Sequence, residues 1–281
     1  MSTHQSLQRA IAILRVFTEQ EPALTVSEIS RRLGLHKSTV SRILGALLDE
    51  GMVWHDPDTG RYSLGMALVE MAGVALGQID VRAAAMPHME GLAANTHETI
   101  ALAVRRDREA VTVAHLPSTH PIRHFVWIGR RLSLRTSAAG KALLATMHAR
   151  GEDWEELLGN PEVDLPAEWE TALAAELATI AQQGYAEESG EFELGTAAIA
   201  VPILDRTGAA VAALSISGPS TRFGPETRRA AASPLMEAAD AVAVDLGIQR
   251  STDYAGIRAL HLTDHKGGLS HDQDHWSRHS C

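Results

Sequence analysis

The 281-residue sequence lacks several features that would assign it to a narrow class of protein. Its single cysteine is the last residue, Cys281. An intramolecular disulfide framework and a zinc site built from several thiolates are therefore excluded, and a cytoplasmic location is expected. Lys and Arg number 25 against 35 Asp and Glu, a formal net charge of −10, which excludes attachment to DNA by bulk positive charge. Long apolar runs and a signal-peptide pattern are also missing, so we expect no membrane segment and no export.

What the chain does contain is enough apolar material for a real core. Hydrophobic residues make up 45% of it and charged residues 21%, the balance of an ordinary globular protein rather than a disordered one. The length exceeds what one compact core usually organises, so two domains are expected.

The first 65 residues predict three helices followed by a hairpin. Apolar residues at three-four spacing between Leu7 and Phe17 predict the first helix. Thr25 and Glu28 form a capping-box pattern that starts a second helix, which ends at Gly34. A third apolar stripe begins at Val40, and two short strand-like runs then flank a cluster of turn-forming residues at 56–60. This order is typical of a winged helix-turn-helix.

Positive charge is concentrated on the predicted second and third helices, although residues 1–65 as a whole balance seven bases against seven acids. The polar face of the third helix combines short hydrogen-bonding groups with long bases, as a helix in a major groove requires. The candidate DNA contacts are Ser27, Lys37, Ser38, Thr39, Ser41, Arg42 and, on the wing, Arg61. The alternative is the solvated face of any small helical hairpin; the hairpin that follows favours DNA binding.

Beyond residue 65 the pattern changes twice. The segment from Met66 to Asp80 has helical period and a nearly unbroken apolar face, which predicts a linker helix that packs against another surface and can self-associate. Strand-like runs then alternate with Ala-rich helices to about residue 248, which predicts a mixed α/β domain. A polar, His-rich tail follows at 249–281, and we expect it to lack fixed structure. Its histidines recur at four-residue spacing, and we interpret any metal affinity that this gives as adventitious, so no metal is assigned.

Several motifs resemble the IclR family of bacterial transcriptional regulators. They occur in the expected order at Ser6–Ala10, Leu33–Leu44, Asp56–Gly65, Thr136–Ala145, Gly184–Ala186, Ala198–Pro202 and Leu214–Pro219. The resemblance implies a multidomain α+β fold with a winged helix-turn-helix at 5–65, a linker helix at 66–80 and a GAF-like α/β effector-binding domain at 81–248. It also implies a homodimer or homotetramer, a palindromic operator and a small metabolite as effector.

The effector half can be examined from the residues themselves. Ala138 and Ala139 stand at a predicted helix start, where free amides favour an anionic ligand. Ser215 and Ser217 alternate with apolar residues and should face the same side of a strand. The resemblance adds Leu132, Glu188, Thr196 and Ala198 as pocket residues. The alternative is that these small residues and serines only allow close packing inside the domain and bind no ligand.

The sequence also departs from the family pattern. Ser133 and Arg135 replace the more usual proline and histidine, and Ala198 replaces a common cysteine, so the effector's identity stays open. Arg135 and its neighbours Arg130 and Arg131 are interpreted as solvated side chains.

The sequence therefore predicts a ligand-responsive DNA-binding regulator without catalytic residues or cofactors. Its expected partners are double-stranded operator DNA, a small-molecule effector such as an organic or aromatic acid, and a second copy of the chain. Two alternatives stay open. One is an enzyme using the α/β domain, although no HExxH, G-x-S-x-G or P-loop is present. The other is a protein-interaction module.

Overall fold

The computed structural model describes residues 3–18, 20–77, 79–153, 158 and 167–248. The chain divides into two compact units, of which the first ends at Ile79 and the second begins at Asp80. The tail at 249–281, predicted from the sequence to lack fixed structure, lies outside the described residues. None of the described helices has both the length and the apolar composition needed to cross a bilayer.

The first unit combines helices with a small sheet. Its elements are α1 (Thr3–Arg15), β1 (Ala23–Leu24), α2 (Val26–Leu33), α3 (Lys37–Asp49), β2 (Val53–Asp56), β3 (Arg61–Leu64) and α4 (Met66–Gly77). The strands pair antiparallel in the order β1-β3-β2. The helix-turn-helix and the hairpin predicted from the sequence are both present.

The ends of α2 are set by the residues that the sequence singled out. Thr25 Oγ1 accepts a hydrogen bond from the Glu28 N–H at 3.3 Å, and the Glu28 carboxylate accepts one from the Thr25 N–H at 2.8 Å. The helix ends at Gly34, whose φ of +63° is strained for a residue with a Cβ. The turn between α2 and α3 is therefore fixed by local chemistry.

The apolar stripes of α1, α2 and α3 form the core of the first unit. The buried side chains are Ile13, Phe17, Leu24, Ile29, Val40, Ile43, Leu44, Leu47 and Val53. Because α3 buries one stripe, its opposite side is left to solvent, and that side carries the candidate DNA contacts.

The linker helix differs from its predicted extent. It ends at Gly77, and Asp80 belongs to the first turn of the next helix, where its carboxylate is favoured by the helix dipole. No residue of α4 is buried within the single chain. Four of its large apolar side chains are more than half exposed: Met66, Val69, Met71 and Val74.

The second unit is built on a six-stranded antiparallel sheet in the order β6-β5-β4-β9-β8-β7. Its elements are α5 (Asp80–Thr96), β4 (Thr99–Arg106), β5 (Glu109–Leu116), β6 (Arg131–Ser133), α6 (Ala138–Ala149), α7 (Ala167–Gln183), β7 (Ala186–Ser189), β8 (Thr196–Leu204), β9 (Ala210–Pro219) and α8 (Pro225–Asp245).

The two faces of this sheet are covered differently. α5 and α8 pack on one face, where α5 buries Val81 and Met89 and α8 buries Leu235 and Val242. The other face, which we call the α6 face, packs against α6 and α7 through small side chains. The sheet contributes Ala103, Ala110, Ala186, Ala200 and Ala213 to this contact, and α6 contributes Ala138, Ala139, Ala142 and Ala145. Alanines on both surfaces let α6 lie close to the sheet.

Candidate functional site

The exposed side of α3 is a polar surface with unpaired positive charge. Lys37, Ser38, Ser41 and Arg42 are exposed and Thr39 is half-buried. Among the described residues, neither Lys37 nor Arg42 has a carboxylate partner. Both bases are therefore available to an anionic surface. The remaining helical candidate, Ser27, is exposed on α2.

Two other basic residues of the first unit are engaged within it. Arg32 forms an ion pair with Glu21. Arg61, predicted as a wing contact, donates through Nη1 to the Ala23 carbonyl at 2.7 Å and lies 3.3 Å from Glu28 Oε2. Hydrogen bonds from Thr25, aided by the charge of Arg61, hold the pKa of Glu28 below its ordinary value. In this structure Arg61 ties the hairpin to the capping box of α2.

The candidate effector residues of the sheet lie on the α6 face. Thr99 pairs with Ser217, Ser217 with Ala198, and Ala198 with Glu188. Residues directly opposite each other in antiparallel strands project from the same face, so these four side chains form one row across β4, β9, β8 and β7. Thr196 and Ser215, each two residues away from a member of this row, share that face.

The remaining candidates lie beside this row. Leu132 packs against the cluster between α6 and the sheet, to which Ala138 and Ala139 also belong. The structure thus places all eight predicted effector residues on one face of the sheet or on the helix covering it. As their alternation with apolar residues predicted, Ser215 and Ser217 project from the same side of their strand.

The start of α6 is tightly built. Ser137 caps the helix, accepting the Gly140 N–H at 3.0 Å and donating to the Ser133 carbonyl at 2.6 Å. A Cβ on Gly140 would lie 2.2 Å from the Ser133 oxygen, so only glycine fits there. The first N–H groups of a helix have no partners inside the helix. At the start of α6 the Ser137 side chain accepts from Gly140, and the N–H groups of Ala138 and Ala139 are not bound by it.

Both serines of β9 have partners within the unit. Ser215 Oγ donates to the Ala101 carbonyl at 3.2 Å, and Ser217 Oγ lies 2.8 Å from Nδ1 of His124. Arg130 Nη1 lies 2.9 Å from the other ring nitrogen of His124. Because a guanidinium only donates, this geometry assigns the imidazole proton to Nδ1, which donates to Ser217.

Burial and the charge of Arg130 lower the pKa of His124, although Glu193 opposes them. His124 is therefore neutral near pH 7. Because the Ser217 oxygen accepts a hydrogen bond from the imidazole, the hydroxyl proton of Ser217 points away from His124.

Arg130 joins two loops across the α6 face. It forms an ion pair with Glu193 in the turn between β7 and β8, and its guanidinium lies between two rings, 4.8 Å from the centre of Trp127 and 5.0 Å from that of Phe192. Its side chain is only 11% exposed. The interpretation of Arg130 as a solvated side chain is therefore wrong, whereas Arg131 is 65% exposed.

Glu188 is a buried carboxyl at the end of the row, only 4% exposed. Its Oε2 accepts hydrogen bonds from the N–H groups of Glu191 at 3.2 Å and Phe192 at 3.4 Å. Burial raises the pKa of Glu188, and these two N–H groups oppose the rise only in part. The site thus contains an acid that holds its proton more strongly than an exposed one.

Lys141 is a buried base of α6, with only 1% of its surface exposed. Its Nζ contacts Glu176 at 2.7 Å and Glu191 at 2.5 Å. Burial alone lowers the pKa of Lys141, but the hydrogen bonds to the two carboxylates outweigh it and raise the pKa. Lys141 thereby anchors the turn that also carries Glu193.

The sequence did not identify His124, Arg130 or Glu193 as site residues, because their contacts join segments far apart in the chain. The available signal was a cluster of bases and histidines at 120–131, followed in the sequence by a run of 45 residues, 151–195, with thirteen acids and no bases. Within the described residues, no group of three His, Cys, Asp or Glu side chains is arranged to hold a metal.

Two family descriptions match the chain. Residues 6–57 match the IclR helix-turn-helix domain, and residues 73–244 match the IclR C-terminal domain of bacterial transcriptional regulators. The chain is 34% identical over 223 residues to the HTH-type transcriptional regulator XynR of Escherichia coli, covering 78% of this chain and 87% of XynR. It is 31% identical over 263 residues to the DNA-binding transcriptional repressor YiaJ of the same organism, covering 90% and 92%.

Solved structures share the fold. The crystal structure of an IclR homolog from Microbacterium hydrocarbonoxydans, complexed with 4-hydroxybenzoate, matches with a TM-score of 0.71 and 30% identity, over 87% of this chain and all of that one.

Proposed function

Because the chain belongs to the IclR family of bacterial transcriptional regulators, we propose that it binds double-stranded operator DNA through α3 and that a small organic or aromatic acid modulates this binding. The protein acts in the cytoplasm as a dimer or tetramer and needs no cofactor or catalytic residue. Its operator is near-palindromic, with two copies of α3 in major grooves about 34 Å apart.

One observation carries the DNA-binding half of the proposal. On the exposed face of α3, Lys37 and Arg42 flank short polar side chains and have no carboxylate partner among the described residues. Unpaired bases contact phosphates or guanine without first breaking an ion pair. Ser38, Thr39, Ser41 and Arg42 are the proposed base readers. Ser27 and Arg61 are proposed to contact the backbone, Arg61 after exchanging Glu28 for phosphate.

The effector half is supported by the α6 face. The amides at the start of α6 favour the negative end of a ligand, and Ser217 with its neighbours Glu188 and Ala198 forms a partly polar floor. The 4-hydroxybenzoate complex of a 30% identical relative supports an aromatic acid as the class of effector.

Self-association is supported by α4, whose four large apolar side chains stay exposed in the part of the chain that the structure describes. An exposed apolar surface of this kind marks an interaction site in a globular protein. A second copy of α4 is the proposed partner.

Genomic-fragment selection with the purified full-length protein tests the proposal. We expect a near-palindromic site to be recovered, and its affinity to change when organic and aromatic acids are titrated. If no fragment is retained at low salt, with or without acids, the winged domain does not read DNA, and a protein-interaction role replaces this proposal. Turnover of an acid by the protein would favour an enzyme instead.

A further inference from the structure

The turn between β7 and β8, residues 190–195, spans the row of polar side chains on the α6 face. At one end of the row, Glu188 accepts hydrogen bonds from two backbone N–H groups of the turn. Further along the row, Ser217 contacts His124, whose Nε2 lies 3.4 Å from the Glu193 carboxylate. The turn therefore lies over the row from β7 to β9.

A ligand that binds on the α6 face needs a way to reach it. Five of the eight proposed effector residues are buried in the described structure: Ala138, Ala139, Glu188, Thr196 and Ser217. The helix and strands that carry them are held by packing, α6 through its alanine contacts with the sheet and β8 and β9 through a ladder of backbone pairs. These elements cannot separate without losing buried contacts.

The turn is held differently, because none of its four side chains between the flanking glycines is buried in the described structure. One of them, Leu194, is 90% exposed. Gly190 has a φ of +77° and Gly195 a φ of +82°, and a Cβ on either would meet no atom within 4 Å. Packing therefore does not require these glycines, whereas rotation at the two ends of the turn is easiest with them. An exposed segment with so little packing opens more readily than the sheet below it.

Charged side chains hold the turn in place. Lys141 of α6 and Arg130 each bind one of its two carboxylates. Both bases also have a partner outside the turn, since Lys141 contacts Glu176 and Arg130 donates to the Phe125 carbonyl at 2.8 Å. Movement of the turn therefore leaves neither base as a buried charge without a partner.

We propose that residues 190–195 form a lid, which opens at Gly190 and Gly195 to admit the effector to the α6 face and is held closed by Lys141 and Arg130. The presence of an effector on this face rests on the proposed function. The opening itself is a property of the free protein and is tested without a ligand.

Hydrogen exchange of the free full-length protein, resolved to single residues by mass spectrometry, tests the opening. The N–H groups of Glu191 and Phe192 are bonded to Glu188 in the closed lid. We expect them to exchange about tenfold or more faster than the paired N–H groups of β8 and β9, at a rate that low urea concentrations leave unchanged, because a local opening exposes little surface.

A matched pair of variants tests what holds the lid closed. Glu193→Gln removes a carboxylate bound by Arg130 and should speed the exchange of the two N–H groups about tenfold. Glu109→Gln breaks an exposed ion pair elsewhere on the same sheet and should leave their exchange unchanged. If the two N–H groups exchange at the rate and with the urea dependence of β8 and β9, or if Glu193→Gln does not speed them, the lid is refuted.

Stopped-flow binding of benzoate, 4-hydroxybenzoate and hexanoate tests what the lid admits. We expect Glu193→Gln to raise the association and dissociation rates of an acid that binds by about tenfold each, with little change in Kd, and Glu109→Gln to change neither rate. Equal rates in all three proteins would show that the turn does not control access. If none of these acids binds, the effector half of the proposed function loses its support, while hydrogen exchange still decides whether the turn opens.

Discussion

Arg130 and Glu193 form an ion pair between opposite edges of one sheet. Arg130 directly precedes β6 at one edge, and Glu193 follows β7 at the other. Five spacings of about 4.8 Å would hold these edges about 24 Å apart in a flat sheet, well beyond the reach of an arginine side chain. The sheet therefore curls around the α6 face, and the ion pair closes the open side of the curl.

Replacing Arg130 with alanine should destabilise the second unit. The change removes the ion pair with Glu193 and the packing of the guanidinium between Trp127 and Phe192. Because the side chain is largely buried, we expect a loss of about 1–3 kcal/mol in the free energy of unfolding, measured by urea denaturation.

The neighbouring residue provides the control for this substitution. Arg131→Ala removes an exposed pair with Glu109, and we expect a change within about 0.5 kcal/mol. Equal stability of the two variants would show that Arg130 does not hold the curl closed.

Gly140 should not tolerate a methyl group. Its Cβ would lie 2.2 Å from the Ser133 oxygen and 2.5 Å from the Leu134 Cα, and both are backbone atoms that cannot move independently. We expect Gly140→Ala to cost about 3 kcal/mol or more. Gly91→Ala, in α5 with no atom within 4 Å of the new Cβ, should instead stabilise by about 0.5–1 kcal/mol. Thermal melting of both variants checks the contrast, and similar melting points would contradict it.

The first unit was predictable because its signals are local. Thr25 and Glu28 are three residues apart and satisfy each other's backbone, and Gly34 supplies the left-handed residue that ends the helix. No distant contact is needed to read either signal. The end of the linker helix was missed because Ile79, beyond Gly77, keeps the three-four spacing of the apolar residues, and Asp80, which starts the next helix, also fits the end of that pattern.

The α6 face was predictable only in part. Alternation along β9 placed Ser215 and Ser217 on one face, but it could not reveal that their hydroxyls already have partners in Ala101 and His124. Those contacts connect residues about 90 or more positions apart, and they depend on strand order. A β-bulge in β5, opposite Leu102 and Ala103 of β4, turns His115 toward this face. It has no sequence signature, because the extra residue, Val113, is an ordinary member of an apolar strand.

The buried acid Glu188 should make stability depend on pH in a specific direction. Burial raises its pKa in the folded state, so the folded chain holds this proton more strongly than the unfolded chain. As pH rises through the ordinary value for glutamate toward the raised one, the folded state loses stability relative to the unfolded state. Above the raised pKa the loss is complete and constant.

Glu188→Gln isolates this effect, because an amide oxygen can still accept from Glu191 and Phe192. We subtract the free energy of unfolding of Glu188→Gln from that of the wild type. This difference should decrease as pH rises through the ordinary value for glutamate, and it should level off once pH exceeds the raised pKa of Glu188. Urea denaturation at several pH values measures it. A difference that is constant with pH, or that grows, would contradict the burial of an acid at this position.

Lys37 and Arg42 should make separable contributions to operator binding. Both are exposed on α3 without carboxylate partners among the described residues. A phosphate contact adds affinity on every sequence and steepens the salt dependence, whereas a bidentate contact to guanine adds affinity only on the correct site. Arg42 lies one turn further into the helix, beside Ser41, where a base contact is expected. Lys37 carries a compact ammonium that lacks the planar fork of a guanidinium, so we expect it to contact phosphate rather than guanine.

The Arg42→Ala variant should therefore bind the operator about 1–3 kcal/mol more weakly than the wild type does. It should also lose most of the protein's preference for the operator over unrelated DNA. Lys37→Ala should weaken both kinds of binding alike and reduce the slope of log affinity against log salt by about 1. Fluorescence anisotropy over a range of salt concentrations measures both, with Arg106→Ala, an exposed residue of the second unit, as the control. If Arg42→Ala changes only the salt slope, then Arg42 contacts phosphate and the reading of bases falls to the short polar residues of α3.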